Sequence, residues 1–206
     1  MKLKDPLLSI DEEIKAFNDE ESHDTPSAEP TIQELIRVIP ENKCISHIHA
    51  KVILISTLYH ARVRDKDYAP LTEHIAKINH LDARLDEGDP TVVDEIWHAK
   101  GTSIHYPSFA TKFCNWHNQK RYAIYDLNAW ESLIAYGKRG DSFHMTERDW
   151  SQYADFLAIV KRFQNAYGLT NYSLKDIDKF LWRVGRRLLE AKEASKQNQV
   201  SSPSQA

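Results

Sequence analysis

The sequence predicts an all-α protein, and three observations carry that reading. Apolar residues recur at helical spacing along almost the whole chain of 206 residues. No stretch shows strands alternating with helices, and no glycine-rich phosphate loop or internal repeat interrupts the pattern. Counting the apolar stripes gives roughly eight helices in one main domain.

Taken in order, a short N-terminal helix is expected at about Ile10 to Phe17, followed by a charged, proline-bearing linker from Glu20 to Pro30. Ile32, Leu35, Ile36 and Ile39 form the first stripe of the body, stopped at Pro40. Ile48, Val52, Ile55 and Tyr59 form a second, rich enough in β-branched residues that a buried helix and a strand both fit. Leu71, Ile75 and Ile78 make a third, and Val92, Val93, Ile96 and Trp97 a fourth, opened by the Asp89-Pro90 pair as capping carboxylate and first-turn proline. Trp150, Tyr153, Phe156, Leu157, Val160 and Phe163 share one face until Gly168. Ser173 with Asp176 three residues on starts the last helix, in which Ile177, Phe180, Leu181, Val184 and Leu188 stay in phase. Ser195 to Ala206 is Ser/Gln-rich with no aromatic residue and reads as a disordered tail. The expected organisation is therefore an acidic helix and linker over 1–30, a helical body over 31–194 and a tail over 195–206.

Charge narrows the partners. Residues 1–30 hold three lysines against nine acids, a net of −6, whereas 31–206 hold 24 basic against 21 acidic residues, a net of +3. The acidic share reads as an appendage, leaving a mildly basic body that permits a nucleic-acid partner. No apolar run approaches the ~20 residues of a spanning helix and the N-terminus lacks a signal-peptide core, so no membrane partner is expected. Two scattered cysteines, Cys44 and Cys114, point to a reducing cytoplasm. Cys44-Ile-Ser-His47 and Cys114-Asn-Trp-His117 share a Cys-x-x-His spacing, but that spacing is simply one helix face, and neither a metal nor another cofactor is expected.

One segment carries chemistry. Pro107-Ser-Phe-Ala-Thr-Lys112 places a lysine in the first turns of a helix, and Ala123-Ile-Tyr-Asp126 puts a carboxylate at the start of the next. Phe109, Phe113 and Trp116 form the apolar stripe of the first helix, with Lys112 at its edge, so the stem can be buried while the amine reaches a cleft. Asp126 ahead of Leu127, Trp130 and Ile134 is also a sufficient N-cap.

These residues, together with the late helix from Leu174 to Gly185, resemble the catalytic stretch of helix-hairpin-helix base-excision DNA glycosylases, in particular a bacterial branch with an 8-oxoguanine-glycosylase-like fold. The resemblance covers about 25 of the 206 residues, with Ser108 and Ala110 standing where the family's hairpin has glycine. It implies an all-α helix-hairpin-helix glycosylase-like fold and recognition of damaged or modified bases in DNA. It further implies excision through a Lys112 Schiff base assisted by Asp126. Ser108, Ala110 and Thr111 would meet DNA phosphates at the hairpin. Lys179, Arg183, Arg186 and Arg187 on the last helix are the further phosphate contacts expected, with Lys138 and Arg139 next. Tyr106, Trp116 and Tyr125, then Trp97 and Trp130, are the candidates to stack on an extruded base. The competing reading is a non-catalytic member of the fold that binds nucleic acid or protein, for example a phage-defence accessory protein.

Overall fold

The Ile48–Tyr59 stripe, for which pattern alone allows helix or strand, is helical in a computed structural model of the chain. That structure describes residues 3–21, 28–140, 142–146 and 150–200, and among them are ten α-helices, one 3-10 turn and no strand. The helices are α1 (Pro6–Glu21), α2 (Ala28–Val38), α3 (Ile45–Leu58), α4 (Tyr68–Ile75), α5 (Leu81–Glu87), α6 (Thr91–Trp97), α7 (Pro107–His117), α8 (Leu127–Arg139), α9 (Tyr153–Ala166) and α10 (Leu174–Val200), with the 3-10 turn at Asp65–Asp67. Ile48, Val52 and Ile55, one helical turn apart, are fully buried, so α3 packs by a single face with the spacing a strand could not provide.

Local capping accounts for most boundaries. Asp89 accepts from the Thr91 backbone N–H and hydroxyl, holding the start of α6. Ser173 and Asp176 form a reciprocal box at the start of α10: the Asp176 carboxylate accepts from Ser173 N and Oγ, and Asp176 N donates to Ser173 Oγ. The helix for which the sequence shows no apolar stripe is α5, whose whole apolar face is Leu81 and Leu85. Seven residues are too few to display a period.

Two features position the site. The most extensive helix pairing is α8 on α10. Gly185 permits it: a Cβ there would lie 1.8 Å from the Asn128 carbonyl oxygen, so only glycine lets α10 run against the first turn of α8. Ser132 Oγ adds a 2.5 Å hydrogen bond to Leu181 O across the same pair. The second feature corrects the expectation of an acidic appendage. α1 is docked, with Ile10 and Phe17 in the core and Glu13 buried against α10. Glu13 bonds Arg183 at 3.0 Å and Arg187 at 2.5 Å, and Glu20 bonds Arg183 at 2.5 Å and Arg186 at 3.3 Å. The surplus acid of the N-terminus thus neutralises the basic row of the last helix. Of the expected linker, 22–27 lies outside the described residues; of the expected tail, α10 continues through Val200 and 201–206 lies outside them.

Candidate active site

Lys112 and Asp126 line one cleft of about 360 Å³, walled also by Tyr59, Asp178, Trp182 and Phe17. α7 brings the lysine. Pro107 occupies its first turn, where a missing N–H costs nothing. The helix buries Phe109, Phe113 and Trp116, which pulls the Lys112 stem inward to 5% exposure. Its Nζ donates to the Tyr59 carbonyl at 3.0 Å and sits 5.4 Å from the centre of the Tyr59 ring. Burial pushes this amine below the ordinary lysine range; Asp126 and Asp178 oppose that shift, and Lys175 and Arg62 reinforce it.

Asp126 sits at the N-cap of α8, where Oδ1 accepts from Ala129 N at 2.8 Å. Its Oδ2 has no hydrogen-bond partner among the described residues. The capping role and the cleft role are therefore compatible, one oxygen for each.

Asp178 and Trp182, one turn apart on α10, complete the cleft. Asp178 is buried, and desolvation raises its carboxyl to about 7, against the pull of Lys175 and with the push of the Asp126 charge. Trp182 packs edge-on to Phe17 at 5.5 Å, with the Arg186 guanidinium 5.4 Å from its ring centre. Beside the cleft, Lys175 bridges to Glu29 at 2.5 Å, donates to the Tyr59 hydroxyl and lies over the Tyr59 and Trp116 rings. Although burial disfavours the Glu29 charge, Lys175, Lys179 and the Tyr59 hydroxyl outweigh it and hold that carboxyl below its usual value.

The remaining site expectations fare unequally. Ala110 and Thr111 are buried and Ser108 is half-buried, because α7 packs by its N-terminal turns as well as its middle; the side chains of Ala110 and Thr111 offer no surface to a phosphate. Lys179, Arg183, Arg186 and Arg187 do share one side of α10. Lys179 is bonded to Asn18 at 2.7 Å and lies 3.9 Å from Glu29, and the three arginines meet Glu13, Glu20 and Glu190. Lys138 and Arg139 close the far end of α8, where Arg139 reaches the Lys4 carbonyl at 3.5 Å. Tyr106 is buried with its hydroxyl on Asp67 at 2.5 Å, and Trp116 is buried edge-on to Tyr59, its Nε1 without a partner among the described residues. Tyr125, Trp97 and Trp130 gather around Trp150 at 4.6, 5.1 and 5.7 Å between ring centres, in a half-exposed cluster beside the cleft rather than in its wall. The aromatic faces in the wall are those of Tyr59, Phe17 and Trp182. Asp178 and Trp182 escaped the sequence reading because α10 was phased by its apolar stripe; the signal available was one acid and one tryptophan a turn apart, within a run otherwise basic and apolar.

Cys114 is buried and Cys44 exposed. His117 donates from Nδ1 to the Phe113 carbonyl, and its Nε2 accepts from Lys51 at 3.2 Å, an ammonium where a metal would have to be. No group of three or more metal-ligating side chains comes together among the described residues. No helix among them is long and apolar enough to cross a membrane.

Comparison with known proteins places this chain in a family. The model of HI_0787_N, described as an N-terminal domain, matches residues 9–121, more than half of the chain, and the chain belongs to that family. An uncharacterized protein of Haemophilus influenzae is 32% identical over 121 residues, which span 57% of this chain and 57% of that relative. No solved structure matches. The family match runs from within α1 through α7 and hence includes Lys112, while Asp126, Asp178 and Trp182 lie beyond it.

Proposed function

We propose that this member of the HI_0787_N family is a helix-hairpin-helix glycosylase-like protein that recognises damaged or modified bases in DNA and excises them through Lys112, assisted by Asp126. The observation that carries the reading is the shared cleft. A lysine and a carboxylate from two consecutive helices, 14 positions apart in sequence, meet in one concavity with an indole face beside them. The wall polarity suits a base, since Trp182 offers a stacking plane and Asp178 a hydrogen-bonding edge.

The chemistry follows from the surroundings of each group. Only a neutral amine is a nucleophile, and burial favours the neutral form of Lys112. Its Nζ attacks C1′ as the C1′–N bond breaks; the base leaves with the bonding pair and takes up a proton. A proton lost from Nζ and opening of the sugar ring, with the ring oxygen protonated, give the imine, which water hydrolyses. The charge on Asp126 offsets the positive charge that develops on the sugar.

A non-catalytic role in binding nucleic acid or protein is the second reading. It is favoured by two observations: the hairpin positions Ala110 and Thr111 are buried, and Ser108 and Ala110 stand where the resembled family has glycine. Borohydride trapping separates the two. Incubation with duplexes carrying abasic sites and a panel of damaged bases should give a covalent complex with at least one of them, lost in Lys112→Ala. If trapping and base release are both absent on every duplex, the enzymatic reading fails.

A further inference from the structure

With the α10 row neutralised, the cleft needs another source of positive charge to hold a polyanion, and the segment from Tyr59 to Asp67 contains one. From His60 to Arg64 its residues alternate, Ala61 and Val63 buried and His60, Arg62 and Arg64 exposed; in the 3-10 turn that follows, Asp65 and Lys66 are exposed and Asp67 is buried. Basic side chains at positions 60, 62, 64 and 66 thus all reach solvent. The arrangement is held against backbone preference, because His60 and Arg62 adopt left-handed φ values of 49° and 55° without being glycine. Neighbours lock it in place. Ala61 N donates to Ser56 O at 3.1 Å, Val63 N to Ser56 Oγ at 3.0 Å, and Arg64 N to the Tyr106 hydroxyl at 3.3 Å.

These side chains are available. His60, Arg62 and Lys66 have no hydrogen-bond or ion-pair partner among the described residues, and Arg64 makes one 3.3 Å contact to Ser103 Oγ. Of the two acids in the segment, Asp67 is turned inward onto Ser103 and Tyr106 and only Asp65 is exposed. The segment also borders the reacting groups. His60 lines the cleft, the Tyr59 carbonyl accepts from Lys112 Nζ, and the Arg62 charge acts on Lys112.

We infer that His60, Arg62, Arg64 and Lys66 form the phosphate track of this protein, gripping the sugar-phosphate backbone that flanks a nucleotide in the cleft. The inference rests on the proposed reading of the cleft as a nucleic-acid site. Strain at His60 and Arg62 has a use in this arrangement: it directs both side chains outward on the segment whose Tyr59 carbonyl accepts from Lys112 Nζ, so the backbone contacts adjoin the nucleophile.

The test is fluorescence anisotropy with a duplex carrying a tetrahydrofuran abasic analogue, which binds but cannot form an imine. Changing Arg62, Arg64 and Lys66 together to Gln should weaken binding by about tenfold or more at low salt and make the log–log salt slope shallower by about 2–3. Asp65→Asn should tighten binding. Removing three exposed lysines from other segments, Lys43, Lys77 and Lys120, should change the slope by less than about one. Arg62→Lys with Arg64→Lys should retain the wild-type slope, which guards against loss of fold. Wild-type protein that binds and traps abasic DNA while the triple Gln variant binds equally well overturns the track alone. A wild type that neither binds nor traps any duplex overturns the track and the cleft reading together.

Discussion

Two buried lysines in this protein, Lys51 and Lys112, show how little burial alone says about chemistry. Lys51 is fully buried on α3, and its Nζ meets Asn42 Oδ1 at 2.9 Å, the Pro40 and Glu41 carbonyls at 3.2 and 3.3 Å, and His117 Nε2 at 3.2 Å. Asn42 in turn is clamped by Asp82. Burial lowers this amine to about 8, with Asp82 opposing, so it stays an ammonium at neutral pH and staples the loop after α2 to α3 and α7. Lys112 is also desolvated but makes one hydrogen bond, to a backbone carbonyl, and has a cleft in front of it. The first lysine has every proton placed and no room for a substrate; the second has both spare valence and space. A saturated shell makes a structural cation, and an unsaturated one facing a cavity makes a candidate nucleophile.

The largest effect expected from this contrast is on stability. Lys51→Met should cost about 3 kcal/mol, because it leaves several buried acceptors unpaired, whereas Lys112→Met should stay within about 1 kcal/mol. Urea midpoints of the two variants measure this; equal losses would erase the distinction. Asp178→Asn should have a smaller, pH-dependent effect. A carboxyl raised from 3.8 to about 7 contributes stability that is fully present below the unfolded value and lost as pH rises through about 7. The amide should therefore melt several degrees above wild type at pH 8 and near it at pH 4. A variant less stable at pH 8 would mean that the pairing of Asp178 with Lys112 and Lys175 outweighs its burial. The smallest effect belongs to the end of α10, where Lys192, paired with Glu131 at 2.5 Å, precedes a run of exposed residues. Truncation after Glu193 should leave the melting temperature nearly unchanged; a drop of many degrees would show that the end of α10 is docked.

How far the sequence announces these features depends on the range of the interactions. The long helices were legible because periodicity and caps are local: Ser173 with Asp176 and Asp126 as an N-cap are read within one turn. Lys112 and Asp126 were legible because consecutive helices carry them. The pairing of α1 acids with α10 arginines was not, since Glu13 and Arg187 are 174 positions apart and net charge per segment cannot say which charges touch. Asp178 in the cleft likewise depends on the Gly185 crossing of α8, a backbone contact that no side-chain pattern encodes. The track at His60 to Lys66 lay in plain view as a basic residue at every second position, yet a helix-period search passes over it.

If Lys112 is the nucleophile of a nucleic-acid site, the trapped adduct must form on it. After borohydride reduction with abasic or damaged duplex, proteolysis and mass spectrometry should locate the sugar remnant on Lys112, with Lys51 unmodified. An adduct on Lys51, Lys175 or the N-terminus, with Lys112 intact, would mean that Lys112 is not the nucleophile.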